Sequence, residues 1–183
     1  MHKIGQMARA LGLVSVAALV GALGSVQLAS ASDNSGIIAS YNGGAINLSQ
    51  GWGSAAVCAV TSAGTNCFAS QSAYDTWASA IVPATSLASP VPSVNCSTGL
   101  KLFKSVNYGG SELVLYVEAS WINLSAYGFA SSVSSYQVGA CSVGMAAGTN
   151  GSGAAYPGAT SPGSNVPTMG STWNDRVQSV YIV

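Results

Sequence analysis

The chain has 183 residues, five Lys and Arg against five Asp and Glu, a single His, and only 5% charged residues in all. So few cations cannot supply the series of phosphate contacts on which nucleic-acid affinity rests, nor the basic patch that holds a protein to anionic lipid. Solubility must come from Ser, Thr, Asn and Gly, a composition common in exported β-rich proteins.

Residues 1–31 read as an export signal. Lys3 and Arg9 precede an apolar run from Leu11 to Leu23, and Ala29-Ser30-Ala31 offers small residues for cleavage. The run is too short to span a bilayer comfortably. Cleavage removes His2, Lys3 and Arg9 and leaves Lys101, Lys104 and Arg176 against Asp33, Asp75, Glu112, Glu118 and Asp175, three minus five, a net charge of −2. The expected location is secreted and extracellular, with no nucleic-acid partner and no membrane partner after cleavage. The remainder is long enough for one domain, or one domain and an appendage.

Cys58, Cys67, Cys96 and Cys141 all follow the signal, and an even count in an exported chain reads as two disulfides. Three pairings are open. The sequential one, Cys58 with Cys67 and Cys96 with Cys141, is favoured. Its second bridge restricts the longer loop, for about 3–4 kcal/mol in the loop-entropy account. The intervening lengths of 8, 28 and 44 residues lack the close ligand pairs of a zinc site.

From residue 32 to 82 the pattern predicts an N-terminal region of hairpins and one short helix. Asn42-Gly43 between apolar flanks is a hairpin turn signal. Cys58 to Phe68 reads as a disulfide-closed hairpin with Gly64-Thr65-Asn66 at its tip. A helix follows, with Ser72 and Asp75 as a capping box, Tyr74, Trp77 and Ile81 on one face, and Pro83 as its stop. Residues 83–95, with Pro83, Pro90 and Pro92 among Ser and Ala, read as a linker.

From Cys96 the sequence is strand-like. Leu100 to Val106 is a candidate strand, Asn107-Tyr108-Gly109-Gly110 a tight turn, and Glu112 to Glu118 alternates. Leu113, Leu115 and Val117 should face the core, with Glu112, Val114, Tyr116 and Glu118 opposite. Gly144 to Gly170 should form short strands joined by long loops. Trp173 to Val183 has an offset copy 44 residues earlier, in which Phe129 matches Trp173, Val133 matches Val177, Ser135 matches Ser179 and Val138 matches Ile182. Such a period implies two similar units, each too small to bury a face alone.

Phe103-x4-Tyr108-x-Gly110, then Ser134-Ser135, then Trp173-Asn174-Asp175-Arg176-Val177 resembles a βγ-crystallin domain over about 96–183. More narrowly it is similar to the secreted bacterial branch containing the Streptomyces-type metalloproteinase inhibitors. The resemblance implies an all-β fold: a βγ-crystallin-like Greek-key β-sandwich of two four-stranded keys, beside the smaller disulfide-containing N-terminal region. The second key departs from the pattern, since Met145 and Asn150 stand where aromatics are expected.

A chain whose only histidine leaves with the signal cannot form a Ser-His-Asp or Cys-His pair. Glu112 and Glu118 on one strand would stand about 20 Å apart, beyond the roughly 5–10 Å of paired glycosidase carboxylates, and read as solvated rim charges. No enzyme is expected. The resemblance also implies a calcium consensus of two Asn or Asp residues followed, after two variable positions, by Ser or Thr and Ser, once per key. Asn174 to Ser179 keeps both acidic-type positions but has Gln178 where a hydroxyl belongs. Ala130 to Ser135 keeps the hydroxyls and loses the others. Asn174, Asp175 and Ser134 are the residues left to hold Ca2+, with weak binding or none expected and no other cofactor. Inhibition of an extracellular metalloprotease needs only a rigid loop held in a substrate-like shape, and the Cys58 to Cys67 loop, with Val60 as its apolar side chain, is the candidate. A toxin-like binding module belongs to the same class. A structural or stress-related domain is the alternative.

Overall fold

Turn chemistry and alternation set most of the strands. The computed structural model describes residues 36–81 and 96–183; the signal expected over 1–31 and the linker expected over 83–95, with Pro83, lie outside the described residues. β1 (Ile38–Tyr41) and β2 (Gly44–Asn47) form an antiparallel hairpin. Asn42 and Gly43 at its tip both have positive φ, 49° and 78°, which is why this dipeptide marks the turn. β3 (Val57–Thr61) and β4 (Gly64–Phe68) form the second hairpin. Its tip is Ser62-Ala63 rather than Gly64-Thr65-Asn66. The Thr61 hydroxyl accepts the Ala63 N–H at 3.2 Å and closes the turn early, so that Gly64, at φ +135°, already begins the return strand.

Helix α1 (Gln71–Ile81) follows. Its cap is Ser70, whose Oγ accepts the Ala73 N–H at 3.2 Å, and not Ser72. Asp75 instead takes a hydrogen bond from Gln71 Nε2, one turn back, at 2.9 Å. Of the face expected to be apolar, Tyr74 is buried and Trp77 is partly covered, while Ile81 lies exposed at the end.

The remainder supplies β5 (Leu100–Ser105), β6 (Gly109–Leu115), β7 (Trp121–Asn123), β8 (Ser135–Gln137), β9 (Val143–Ala146), β10 (Asn165–Val166) and β11 (Ser179–Ile182), with a one-turn helix α2 (Gly170–Trp173). The fold is mostly β. One sheet has eight strands in the order β10-β8-β5-β6-β3-β4-β1-β2, the other three in the order β7-β11-β9. The two halves trade strands: β7, from the first, pairs with β11 of the second, and β10, from the second, pairs with β8 of the first. The run β5 to β8 has four strands. The run β9 to β11 has three, and beside β9 the pairing shrinks to the bridge Ala146–Ala155.

The strands of 36–81 extend the larger sheet instead of forming their own. β3 lies parallel to β6, with Val57 opposite Glu112 and Val60 opposite Leu115. The main core lies on one face of that sheet, where Cys58, Val60, Leu102, Leu113 and Leu115 meet Phe129, Val133, Tyr136, Val177, Val180 and Ile182. On the other face α1 covers Val57, Ala59 and Val114 with Tyr74. Leu113 and Leu115 therefore face the core as their alternation implies, and the opposite side of β6 is buried as well. Both expected disulfides are present, Cys58–Cys67 across the β3–β4 hairpin and Cys96–Cys141. Among the described residues no helix is long and apolar enough to cross a membrane.

Candidate functional site

The duplicated serines bind two hairpins in the same way. Ser135 Oγ donates to the Ser105 carbonyl at 2.6 Å and accepts the Tyr108 N–H at 3.0 Å. Ser179 Oγ donates to the Gly148 carbonyl at 2.6 Å and accepts the Gly151 N–H at 3.0 Å. Both serines are fully buried, so each hydroxyl has its donor and its acceptor satisfied. The chain bends alike in each loop: Asn107, Tyr108 and Gly110 have φ of 55°, 61° and 76°, and Asn150, Gly151 and Gly153 have 50°, 75° and 77°.

The first loop carries its own aromatic pair, with the Phe103 and Tyr108 ring centroids 5.6 Å apart. In the second loop the position equivalent to Tyr108 is Gly151, not Asn150, and the aromatic comes from β7. A Cβ on Gly151 would fall 2.3 Å from the Trp121 ring, so Trp121 lies against the bare backbone there. Met145 is buried in the main core. Asn150 is exposed, with its N–H and its Oδ1 both bonded to the Asn123 side chain at 2.8 Å.

The calcium-consensus residues meet between the halves. Ser134 Oγ lies 3.0 Å from the Lys104 carbonyl and 3.4 Å from Asp175 Oδ1. Asn174 Nδ2 donates to Asp175 Oδ2 at 2.7 Å. The backbone is reciprocal as well: Asp175 N–H donates to the Val133 carbonyl at 3.0 Å, and Ser131 N–H to the Val177 carbonyl at 2.9 Å. Both donors sit in left-handed geometry, with φ of 56° and 52°. Asn174, Asp175 and Ser134 thus come together, with one carboxylate whose two oxygens already face protein donors. Calcium ordinarily takes 6–8 oxygens.

Val60 is placed differently from its expected role. It lies in an interior strand with only 5% of its surface exposed, paired with Thr65 on one side and Leu115 on the other. The Cys58–Cys67 loop is a hairpin inside the sheet, so Val60 cannot enter a protease pocket without leaving the core.

The two glutamates also differ from the solvated-rim expectation. Glu118 Oε1 accepts the Cys96 N–H, and its carboxylate lies close to the sulfurs of Cys96 and Cys141, which are spent in their disulfide. Glu112 is 5% exposed beneath α1. Lys101 Nζ lies 3.1 Å from its Oε1, an ion-pair distance, although no donor among the described residues is aligned to hydrogen-bond that oxygen. Burial pushes the Glu112 carboxyl above the usual carboxylate range, and the Lys101 charge opposes the shift only in part. Lys101 also lies over the Tyr74 ring, 5.4 Å from its centroid, and the Tyr74 and Tyr116 hydroxyls are 2.7 Å apart. Sequence reading missed this group because α1 is brought onto β6 only by the tertiary fold.

No family model and no curated protein matches the chain. Among solved structures, it resembles a βγ-crystallin from Ciona intestinalis, with 24% identity and a TM-score of 0.39 over 46% of this chain and 98% of that one. A βγ-crystallin domain from Clostridium beijerinckii gives 22% identity and a TM-score of 0.39 over 46% and 95%. One from Flavobacterium johnsoniae gives 22% and 0.38 over 46% and 92%. At these identities and TM-scores nothing that those proteins bind or do transfers to this chain.

Proposed function

We propose that this is a secreted, non-enzymatic structural protein, a disulfide-braced β domain in which calcium-type loops have become internal fasteners. The observation that carries the reading is the Ser134–Asp175–Asn174 cluster. Its single carboxylate accepts from Asn174 and faces Ser134, while the flanking N–H groups of Ser131 and Asp175 bond across to carbonyls of the other half. In this reading those bonds, rather than an ion, join the two halves. A site with one carboxylate, both of whose oxygens face protein donors, binds Ca2+ weakly or not at all.

Thermal melting in millimolar Ca2+ and in chelator tests this. A ligand that binds the native state raises its stability, so the two melting temperatures should agree. A rise of several degrees in Ca2+ would return the loops to a metal-binding role.

The narrower reading, a metalloprotease inhibitor or toxin-like binding module, loses its candidate loop with the burial of Val60. Titration into thermolysin tests it. Full protease activity at large excess removes that enzyme as a target, and stoichiometric inhibition overturns the structural role.

A further inference from the structure

Above the helix-covered face of the larger sheet the protein carries a cleft of about 280 Å3, lined by Tyr74, Asp75 and Ala78 of α1, by Thr98 and Lys101 around the start of β5, and by Tyr116 after β6. The volume lies just below the range of drug-sized ligand sites, roughly 300–1,000 Å3, and so suits only a small ligand. Its lining is mixed. Lys101 and Asp75 supply a donor and an acceptor, the tyrosines a hydroxyl pair and ring edges, and Ala78 an apolar patch.

The charges decide which ligand fits. Lys101 lies 3.1 Å from Glu112, so its positive charge is matched and offers little hold on an anion. A ligand cation finds Lys101 already over the Tyr74 ring. Among the described residues, what stays free is hydrogen-bonding capacity. An ammonium has three N–H donors, and an ionised carboxylate has lone pairs beyond the one engaged by Gln71. We propose that this cleft binds a neutral, polyhydroxylated small molecule about the size of one sugar ring. Its hydroxyls donate to Asp75 and accept from Lys101, and its apolar face rests on Ala78 and Tyr116. The site is independent of the fastener role of the calcium-type loops and adds a ligand to it.

The test is an NMR titration of the isotope-labelled protein with D-glucose, D-mannose and N-acetyl-D-glucosamine, with glycerol as a hydroxyl-bearing control and acetate and tetramethylammonium as charged probes. At least one sugar should give saturable shifts centred on the amides of Asp75, Ala78, Thr98 and Lys101, with a dissociation constant on the order of 1 mM for so small a ligand. Thr98→Trp blocks the mouth from an exposed position while leaving the Thr98 carbonyl that accepts Ala140 N–H, and it should weaken binding by about tenfold or more. Asp75→Asn, also exposed, keeps the shape and should weaken binding severalfold. The proposal fails if none of the sugars saturates, if the shifts centre elsewhere, if acetate or tetramethylammonium binds in preference, or if both variants bind as the wild type does.

Discussion

At Ser135 and Ser179 a single hydroxyl holds two backbone groups of a loop some 30 residues away in the chain, with no water needed to complete the bonds. Alanine at either position removes two hydrogen bonds and leaves a carbonyl and an N–H without their partner in a part-buried place. Each substitution should lower stability by about 1–3 kcal/mol, read as a fall in the denaturant midpoint, and the two costs should be similar because the geometries are. A loss confined to one serine would show that the halves are not equivalent. Glu112 gives a prediction of the opposite sign. Its folded-state pKa lies above that of the unfolded chain, so the fold favours the protonated carboxyl. That stabilising share is full below the unfolded value of about 4.3 and is lost as pH rises through the folded value. Glu112→Gln removes the charge, and Lys101, with 30% of its side chain exposed, still reaches water. The variant should therefore gain on the wild type as pH rises, by on the order of 1 kcal/mol at neutral pH. Parallel stability curves from pH 4 to pH 8 would remove the buried charge as the cause.

Whole elements show what a sequence can and cannot disclose. The β1–β2 turn was legible because Asn42-Gly43 is the dipeptide that tolerates two positive φ values in succession. The repeat around Phe129 and Trp173 was legible because the matched residues Phe129, Trp173, Val133, Val177, Ser135, Ser179, Val138 and Ile182 are all buried. Equal burial preserves equal spacing. Alternation also placed Leu113 and Leu115, but it could not show α1 lying over Glu112 and Val114, since a docked helix leaves no periodic trace in the strand it covers. The loop of Asn150, Gly151 and Gly153 was opaque for a related reason. The aromatic that covers it, Trp121, comes from β7, 30 residues before Gly151, and what fits it there is an absent side chain. Gly151→Ala tests that contact. The residue has φ +75°, and its new Cβ would meet the Trp121 ring at 2.3 Å. Strained backbone and displaced ring together should cost about 2–4 kcal/mol. Trp121, already 38% exposed, should turn further into water, with a red-shifted and more quenchable emission. Unchanged emission would mean that the ring never depended on the glycine.

Across the whole molecule, the stretch 36–81 is part of the fold that 96–183 needs. Leu48 is fully buried in the main core, and Trp52 Nε1 donates to the Tyr127 carbonyl at 2.8 Å while its ring lies 5.2 Å from that of Phe129. Gly128, at φ +64°, lets the Leu48 carbonyl approach so closely that a Cβ there would lie 2.4 Å from it. Lys104 lies over both the Phe129 and Trp52 rings and donates to the Gly128 carbonyl. Removing 36–81 would uncover Phe129 and Val114 and strip β6 of its partner β3. Each large side chain of the kind withdrawn from the two faces of the larger sheet carries about 1.5–3 kcal/mol of burial, so the loss of Leu48, Trp52 and Val60 from the main core and of Val57 from the cluster under α1 approaches the entire stability of a domain this size, roughly 5–15 kcal/mol. The bared β6 would also be a long unpaired edge, open to pairing with another copy. Residues 96–183 expressed alone, with Cys96–Cys141 intact, should therefore either fail to fold cooperatively or associate through that edge, and in both cases bind a hydrophobic dye that the full protein excludes. Sedimentation and a thermal melt separate these outcomes. A monomeric fragment that melts where the full protein does would show that the N-terminal strands are an addition to a complete core and not a part of it.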